Sequence, residues 1–409
     1  MLAILTTHPI QYQVPIWQEL ARRGNVPFEV WYLTDFGVEP SRDREFGHTF
    51  SWDIDTLAGY PCRLLSTVKG ATPASFWKCR LNESLFKRMK ASETTALWIQ
   101  GWQVAAYWQA VHAKKAAGVE VWLRGESNGL APQPLWKHGL KRAQLGWLFG
   151  NVDRFFYIGS GNRRLYQSFG VTDNQLYSAP YAVDNDRFKQ QAATLRPQRS
   201  ELRRKYGIPE DAFCVLFCGK FIAKKRPADV VLAAQQLIRN KLIPKVHLLF
   251  VGAGQLGHAL RASCKVQFDA EVQVVHNCDR DAPNASFTGF LNQTEISQAY
   301  VSADCLVLPS DYGETWGLVV NEALASSMPC IVSDACGCAE ELAGPERTFR
   351  MAHVSDLAAK LMTLATSTAM LVAPPSIDAT VDSVIAAYRE SARTTVRSHR
   401  LAHEHEYHH

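Results

Sequence analysis

Ala303-Asp-Cys-Leu-Val-Leu-Pro-Ser-Asp-Tyr-Gly-Glu-Thr-Trp-Gly-Leu-Val-Val-Asn-Glu322 is the stretch whose reading decides the fold. Cys305–Leu308 is a short apolar run closed by Pro309 and Ser310, the pattern of a buried strand. Asp311–Thr315 is polar and contains glycine, hence a loop. From Trp316 or Gly317 to Ser327 the apolar positions recur at helical spacing, and Pro329 stops the run. Glu314 therefore sits at the mouth of a helix, and Glu322 about a turn and a half inside it. Backbone N–H groups near Gly317 and Leu318 have no partner within such a helix, and its dipole is positive there. That end suits a phosphate or diphosphate. Two glutamates beside it can accept hydrogen bonds from hydroxyls on either flank, and an anionic centre flanked by hydroxyls describes a nucleotide sugar. The same spacing also fits a strand–loop–helix unit of any α/β protein with two solvated glutamates.

The surrounding residues narrow the choice. Ala-Asp at 303–304, Leu-Pro-Ser at 308–310, Glu-Thr-Trp-Gly-Leu-Val-Val-Asn-Glu-Ala at 314–323 and Pro-Cys-Ile-Val-Ser-Asp at 329–334 resemble the Glu-x7-Glu signature of retaining GT-B glycosyltransferases of family 4. Gly337 and Glu340 follow where that family has a glycine and an acidic residue. The resemblance is strongest over 213–341 and weaker, though continuous, before that. It implies an α/β chain of two Rossmann-like doubly wound domains facing across a cleft. It also implies a nucleotide-diphosphate sugar donor, retention at the anomeric carbon, and no required metal or other cofactor.

Composition bounds the same reading. A chain of 409 residues is long enough for two domains. With 47% hydrophobic and 20% charged residues it has a soluble globular profile. No apolar run is long enough to span a bilayer. Met1–Leu5 is apolar but short and lacks a basic leader, so it reads as a first buried strand and not a signal peptide. The ten cysteines are scattered, several inside apolar runs, and Cys336-Gly-Cys338 stands alone. They read as reduced thiols of a cytosolic protein, with no metal site expected. Residues 1–180 carry 20 Lys/Arg against 14 Asp/Glu, whereas the remainder carries 24 against 25, so the excess basicity lies in the first half.

Strands and helices alternate along the chain. Leu2–Leu5, Phe28–Tyr32, Leu97–Ile99, Val119–Leu123 and Phe155–Ile158 read as strands, with helical patterns at Val14–Arg22 and Gln103–Ala117. The alternation predicts a parallel sheet with helices on both faces. A second alternation runs through Phe213–Cys218, Pro227–Leu237, His247–Val251, Val272–His276, Cys305–Leu308 and Cys330–Val332. The expected domains are 1–185 and 201–380, joined by a linker at 186–200. A C-terminal helix over 381–400 is a candidate to cross back to the first domain, and the His-rich tail 401–409 is expected to be disordered.

Other motifs fill in the chemistry. Gly219-Lys220 and Lys225 follow the strand Phe213–Cys218, where lysines can neutralise phosphate charge. The resemblance implies that Lys220 and Lys225 contact the donor diphosphate, with Lys220 in place of the commoner arginine. Donor contacts are likewise implied for Gly219, for Thr315, Trp316, Gly317 and Leu318 at the helix mouth, and for Gly289, Phe290 and Leu291, the turn that holds the base ahead of a helix expected at Gln293–Ala303. Glu314 would orient the sugar hydroxyls and Glu322 the ribose. Gly252-Ala-Gly-Gln-Leu-Gly257 spells the dinucleotide fingerprint, but it follows a later strand of its domain, and Glu271 precedes the next expected strand instead of ending it. A nicotinamide or flavin site is therefore not expected.

In the first half, His8 and Gln11 cap the first strand in a loop without the glycines usual in relatives. Arg124 and Glu126 stand where many relatives have a histidine. These four are acceptor or cleft candidates, and Arg124 paired with Glu126 as structure is the alternative. Basic and aromatic residues interleave over Lys69–Lys90 and Trp136–Phe156, the pattern of a segment resting on anionic lipid or of a solvated amphipathic helix. No nucleic-acid-binding motif is present. The expected activity is transfer of a sugar, from UDP preferentially or GDP, to a hydroxyl of a glycan or lipid-linked acceptor. The setting would be cytoplasmic, at the inner face of the membrane if the basic segments touch lipid. A sugar-phosphate synthase, a nucleotide-sugar epimerase and a non-catalytic sugar-binding protein stay open as alternatives.

Overall fold

The computed structural model describes the chain apart from residues 39–40, 43–48, 51–54, 132–134, 244, 272–280, 368–370 and 407–409. It divides into two compact units: Met1–Glu39, Asp55–Tyr181 and Ser376–His409 form the first, Pro40–Ile54 and Ala182–Pro375 the second. The first is built on strands β1 (Leu2–Thr6), β2 (Phe28–Tyr32), β3 (Cys62–Leu64), β4 (Ala96–Ile99), β5 (Glu120–Arg124), β6 (Arg154–Tyr157) and β7 (Leu176–Ser178). They pair in the order β3-β2-β1-β4-β5-β6-β7, and each neighbouring pair is parallel. This is a doubly wound sheet whose strand order reverses between β1 and the central β4.

All five residues of β1 are buried, because helices cover both faces and every side chain meets apolar atoms. One face packs Trp31, Leu97, Leu123, Phe149 and Phe155. The other packs Trp17, Trp98, Trp122 and Phe156 against Val381, Val384 and Ile385. The last three come from the helix Ile377–Glu406, so the end of the chain completes the core of its first unit. Arg23, in the last turn of the helix Val14–Arg23, ion-pairs with Asp378 and Asp382 of that terminal helix.

The second unit holds β8 (Phe213–Cys218), β9 (Val246–Val251), β10 (Lys265–Asp269), β11 (Asn284–Phe287), β12 (Cys305–Leu308), β13 (Cys330–Ser333) and β14 (Thr348–Phe349). Their order is β10-β11-β9-β8-β12-β13-β14, again all parallel. Because β8 lies between β9 and β12, the loops after these three strands open where the strand order reverses, the usual ligand crevice of such sheets. Asp304, just before β12, accepts hydrogen bonds from the Cys214 N–H at 2.7 Å, from Arg199 at 2.7 Å and from the buried Arg203 at 3.5 Å. It anchors the helix Arg199–Lys205 to the sheet and lies at its amino edge, away from the crevice.

Four expectations change. Residues 186–200 are not a linker: they lie within the helix Asn185–Leu195, the short turn Arg196–Gln198 and the start of Arg199–Lys205. Asp184 caps the first by accepting from the Arg187 N–H at 3.0 Å, and Phe188 and Ala192 bury its inner side. Pro197 sits in the first turn of its segment, where proline is tolerated, and breaks nothing. The tail expected to be disordered from 401 is helical as far as Glu406. The helix expected at Gln293–Ala303 is confined to Ser297–Ser302. The strand expected at Val272–His276 lies outside the described residues.

The fourth change concerns the glycine fingerprint. The strand that follows it is β10, which ends in an acid, Asp269, so the acidic position does not argue against a dinucleotide site, although the fingerprint does follow the second strand of its unit. The glycines have another use. Gly252 has φ +128°, and a Cβ there would lie 2.1 Å from the Gly219 carbonyl oxygen; one at Gly254 would lie 2.7 Å from the Phe221 carbonyl oxygen. Both let the loop after β9 pack backbone to backbone against the loop after β8. Asp269 is consumed by the buried Arg261, at 2.7 and 3.0 Å. Gly252→Ala is expected to lower stability by about 3 kcal/mol. The check is a urea unfolding curve, where the midpoint falls at constant slope; an unmoved midpoint would contradict the packing role.

Candidate active site

The loops after β8, β12 and β13 are tied together by backbone hydrogen bonds. The Asp311 N–H donates to the Lys224 carbonyl at 2.8 Å, and the Gly337 and Cys338 N–H groups donate to the Glu314 and Trp316 carbonyls at 3.2 Å each. At their centre the Lys225 ammonium meets the Glu314 carboxylate, and Ser310 Oγ donates to the same carboxylate oxygen at 3.2 Å. The two residues named separately from the sequence are thus one ion pair, partly shielded from water. Lys220 is half-buried in the same loop, beside Gly219. Arg226 instead makes a bidentate pair with Asp229 at 2.8 and 3.0 Å, which fixes the start of the helix Pro227–Arg239.

The helix behind Glu314 is Leu318–Ala325. Gly317 precedes it at φ +112°, and a Cβ there would meet Leu308 Cδ2 at 2.4 Å, so only glycine turns the chain this sharply over the end of β12. Its N-cap, Gly317, supplies no side-chain cap. Its first-turn N–H groups carry about half a positive charge toward whatever lies beyond Gly317 and Leu318. Trp316 is buried, and its indole N–H donates to Asn321 Oδ1 at 2.9 Å. It anchors the loop from inside, while Thr315 is half-exposed beside it.

Glu322 is only 2% exposed and accepts a hydrogen bond from the Tyr300 hydroxyl. It sits by the end of β8: burial, with the Glu322 charge adding to it, pushes the Cys218 thiol up to about 12. Gly289 follows β11, and its carbonyl accepts from the Gly252 N–H at 2.8 Å. Phe290 next to it is 38% exposed, an apolar face at the carboxyl edge of the sheet, with Leu291 half-buried behind. Ser310 and Tyr300 were not singled out from the sequence. Ser310 reads there as a strand end, and Tyr300 stands 22 residues from the carboxylate it serves.

The four first-unit candidates lie at the carboxyl edge of their own sheet. His8 takes a hydrogen bond with Thr7 Oγ1 at 2.9 Å and packs edge-on against Phe36, and burial pushes its imidazole down to about 4. It is therefore neutral near pH 7. Gln11 and Arg124 are buried. Arg124 lies over the Tyr181 ring at 4.7 Å and donates to the Ala179 carbonyl at 3.3 Å, and the Tyr181 hydroxyl donates to Glu126. Tyr181 thus stands between the two charges.

Residues 198–393 match the family model of glycosyl transferases group 1. The chain is 31% identical over 189 residues to D-inositol 3-phosphate glycosyltransferase 2 of Catenulispora acidiphila, covering 44% of this chain and 39% of that protein. It is 29% identical over 196 residues to the sulfoquinovosyl transferase of Arabidopsis thaliana, covering 47% and 33%. The match thus spans little more than a third of these relatives' own lengths. Among solved structures, Anabaena HepE in complex with UDP and glucose superposes over 97% of this chain and 99% of its own, with a TM-score of 0.57 at 13% identity. Burkholderia multivorans alpha,alpha-trehalose 6-phosphate synthase does so over 98% and 99%, with a TM-score of 0.58 at 13% identity. Over residues 198–393 the chain is thus similar to the glycosyl transferases group 1 family, and its fold is GT-B.

Proposed function

We propose that this protein is a retaining, metal-independent glycosyltransferase of family 4. It moves a sugar from a nucleotide-diphosphate sugar to a hydroxyl of a glycan or lipid-linked acceptor, as surface polysaccharide, lipopolysaccharide or glycolipid assembly requires. The observation that carries this reading is the Lys225–Glu314 pair at the mouth of the helix Leu318–Ala325, in the crevice of the second sheet. A diphosphate laid on that mouth meets the first-turn N–H groups, Lys220 and Lys225. As the bond to the anomeric carbon breaks, charge grows on the departing diphosphate, and these groups are already aimed at it. Glu314 then holds the sugar hydroxyls, Glu322 lies toward the ribose, and Phe290 offers the base an apolar wall. The glutamates position the donor, so attack proceeds from the face the diphosphate leaves, with its oxygen taking the acceptor's proton.

UDP is the favoured nucleotide, in keeping with family frequency and with the UDP bound in Anabaena HepE. Among the described residues no helix is long and apolar enough to cross a membrane. The helix Leu135–Phe149 does expose Leu140 and Trp147, and Lys141 and Arg142 share it, which supports peripheral contact with anionic lipid.

A thermal-shift panel of UDP, GDP, ADP and their sugar conjugates, with and without chelator, tests the donor. One nucleoside diphosphate series is expected to raise Tm, and chelator to leave the shift intact. A shift with NAD(H) alone, or one abolished by chelator, would overturn the proposal. Glu314→Gln is expected to cut turnover about a hundredfold while UDP affinity stays near that of the parent; equal losses in both would remove its sugar-positioning role. Lys225→Ala is expected to weaken UDP binding about tenfold or more by calorimetry. Unchanged affinity would take it out of the site.

A further inference from the structure

Beyond the donor site, and resting on the transferase reading above, we propose that Gln100 is a specificity-determining residue. With Gln11 and Arg124 it holds hydroxyls of a neutral sugar or polyol ring in the first unit. Gln100 follows β4 directly, and its backbone N–H donates to the Leu5 carbonyl of β1 at 3.2 Å. The side chain is 8% exposed, yet neither Oε1 nor Nε2 has a hydrogen-bond partner among the described residues. Gln11, 6% exposed, has an unpartnered Oε1, and Arg124, 3% exposed, an unpartnered Nε.

These three orphaned groups belong to three adjacent strand ends. Leu5 pairs with Ile99 and Ile99 with Leu123, so the chain leaves β1, β4 and β5 side by side, at the point where this sheet reverses its strand order. Buried polar groups left without partners are costly, and three such side chains at adjacent strand ends are hard to reconcile with a purely structural role.

The chemistry selects the ligand. An amide offers donors and an acceptor together, which matches hydroxyls, since each both gives and takes a hydrogen bond. A phosphate only accepts and would leave the two glutamine oxygens unmatched. The local charge agrees: Arg124 is offset by Glu126 across Tyr181, and His8 is neutral near pH 7. These groups therefore favour a neutral, hydroxyl-rich ring.

The test uses the full chain saturated with UDP, and saturation-transfer NMR with methyl β-D-glucopyranoside and with myo-inositol as probes. Ring-proton signals are expected from at least one probe. Gln100→Leu is expected to weaken that probe at least tenfold, with Tm unchanged or raised and UDP affinity unchanged by calorimetry. If Gln100→Leu does not fold, Gln100→Glu, which keeps the shape and removes both amide donors, carries the same expectation for probe and UDP binding. No ring signal from the parent, or equal binding by parent and variant, overturns the assignment. Absence of UDP binding in the parent is a separate result, and it is the transferase reading that it overturns.

Discussion

The second unit turns on the contact between Lys225 and Glu314. It links the loop after β8 to the loop after β12 across the point where the sheet changes direction. Each group is the other's counter-ion in a partly dry setting, so neither charge is left uncompensated. The contact also sets the charge arithmetic of the crevice. Lys225 is already half-committed to Glu314, so a dianion entering there draws its remaining attraction from Lys220 and from the helix start beyond Gly317. On the proposed reading, such a site would grip diphosphate moderately and tighten as charge concentrates on the leaving oxygen, where added attraction accelerates a reaction instead of merely holding the reactant.

Backbone proximity makes that contact possible. The loop carrying Lys225 can lie so low over the sheet because Gly252 and Gly254 let the next loop press against the carbonyls of Gly219 and Phe221. A glycine triplet that spells a cofactor fingerprint is used here to seat a neighbouring loop. The same letters serve both ends because both need two backbones in van der Waals contact. Only the neighbour, a pyrophosphate or a carbonyl, distinguishes them, and no local pattern records which one is present.

That distinction runs through the whole comparison of sequence with structure. Phe213–Cys218 and Cys305–Leu308 were legible to the residue because a strand buried on both faces leaves an unbroken apolar run. Lys265–Asp269 was not, because it lies on the sheet edge and alternates polar with apolar residues. Asn185–Leu195 was hidden by the prolines that bracket it and by having few buried side chains, although its Asp184 cap was in plain view. The Glu314, Glu322 and Lys225 positions could be picked out from their spacing and neighbours. Their partners could not: Tyr300 reaches Glu322 from another helix, and Tyr181 intervenes between Arg124 and Glu126 from far along the chain.

The terminal helix has a consequence for how the molecule is made. Val381, Val384 and Ile385 fill the same core as Trp17 and Trp98, and Arg23 is clamped by Asp378 and Asp382. Apart from Pro40–Ile54, the second unit is in effect an insertion within the first, bracketed by Tyr181 and Ser376. On the ribosome, then, the domain begun first is finished last. Its central sheet must wait, with one apolar face uncovered, while nearly two hundred residues are synthesised and the inserted unit folds around its own β8. Vectorial synthesis thereby favours a second unit that is complete before its companion is.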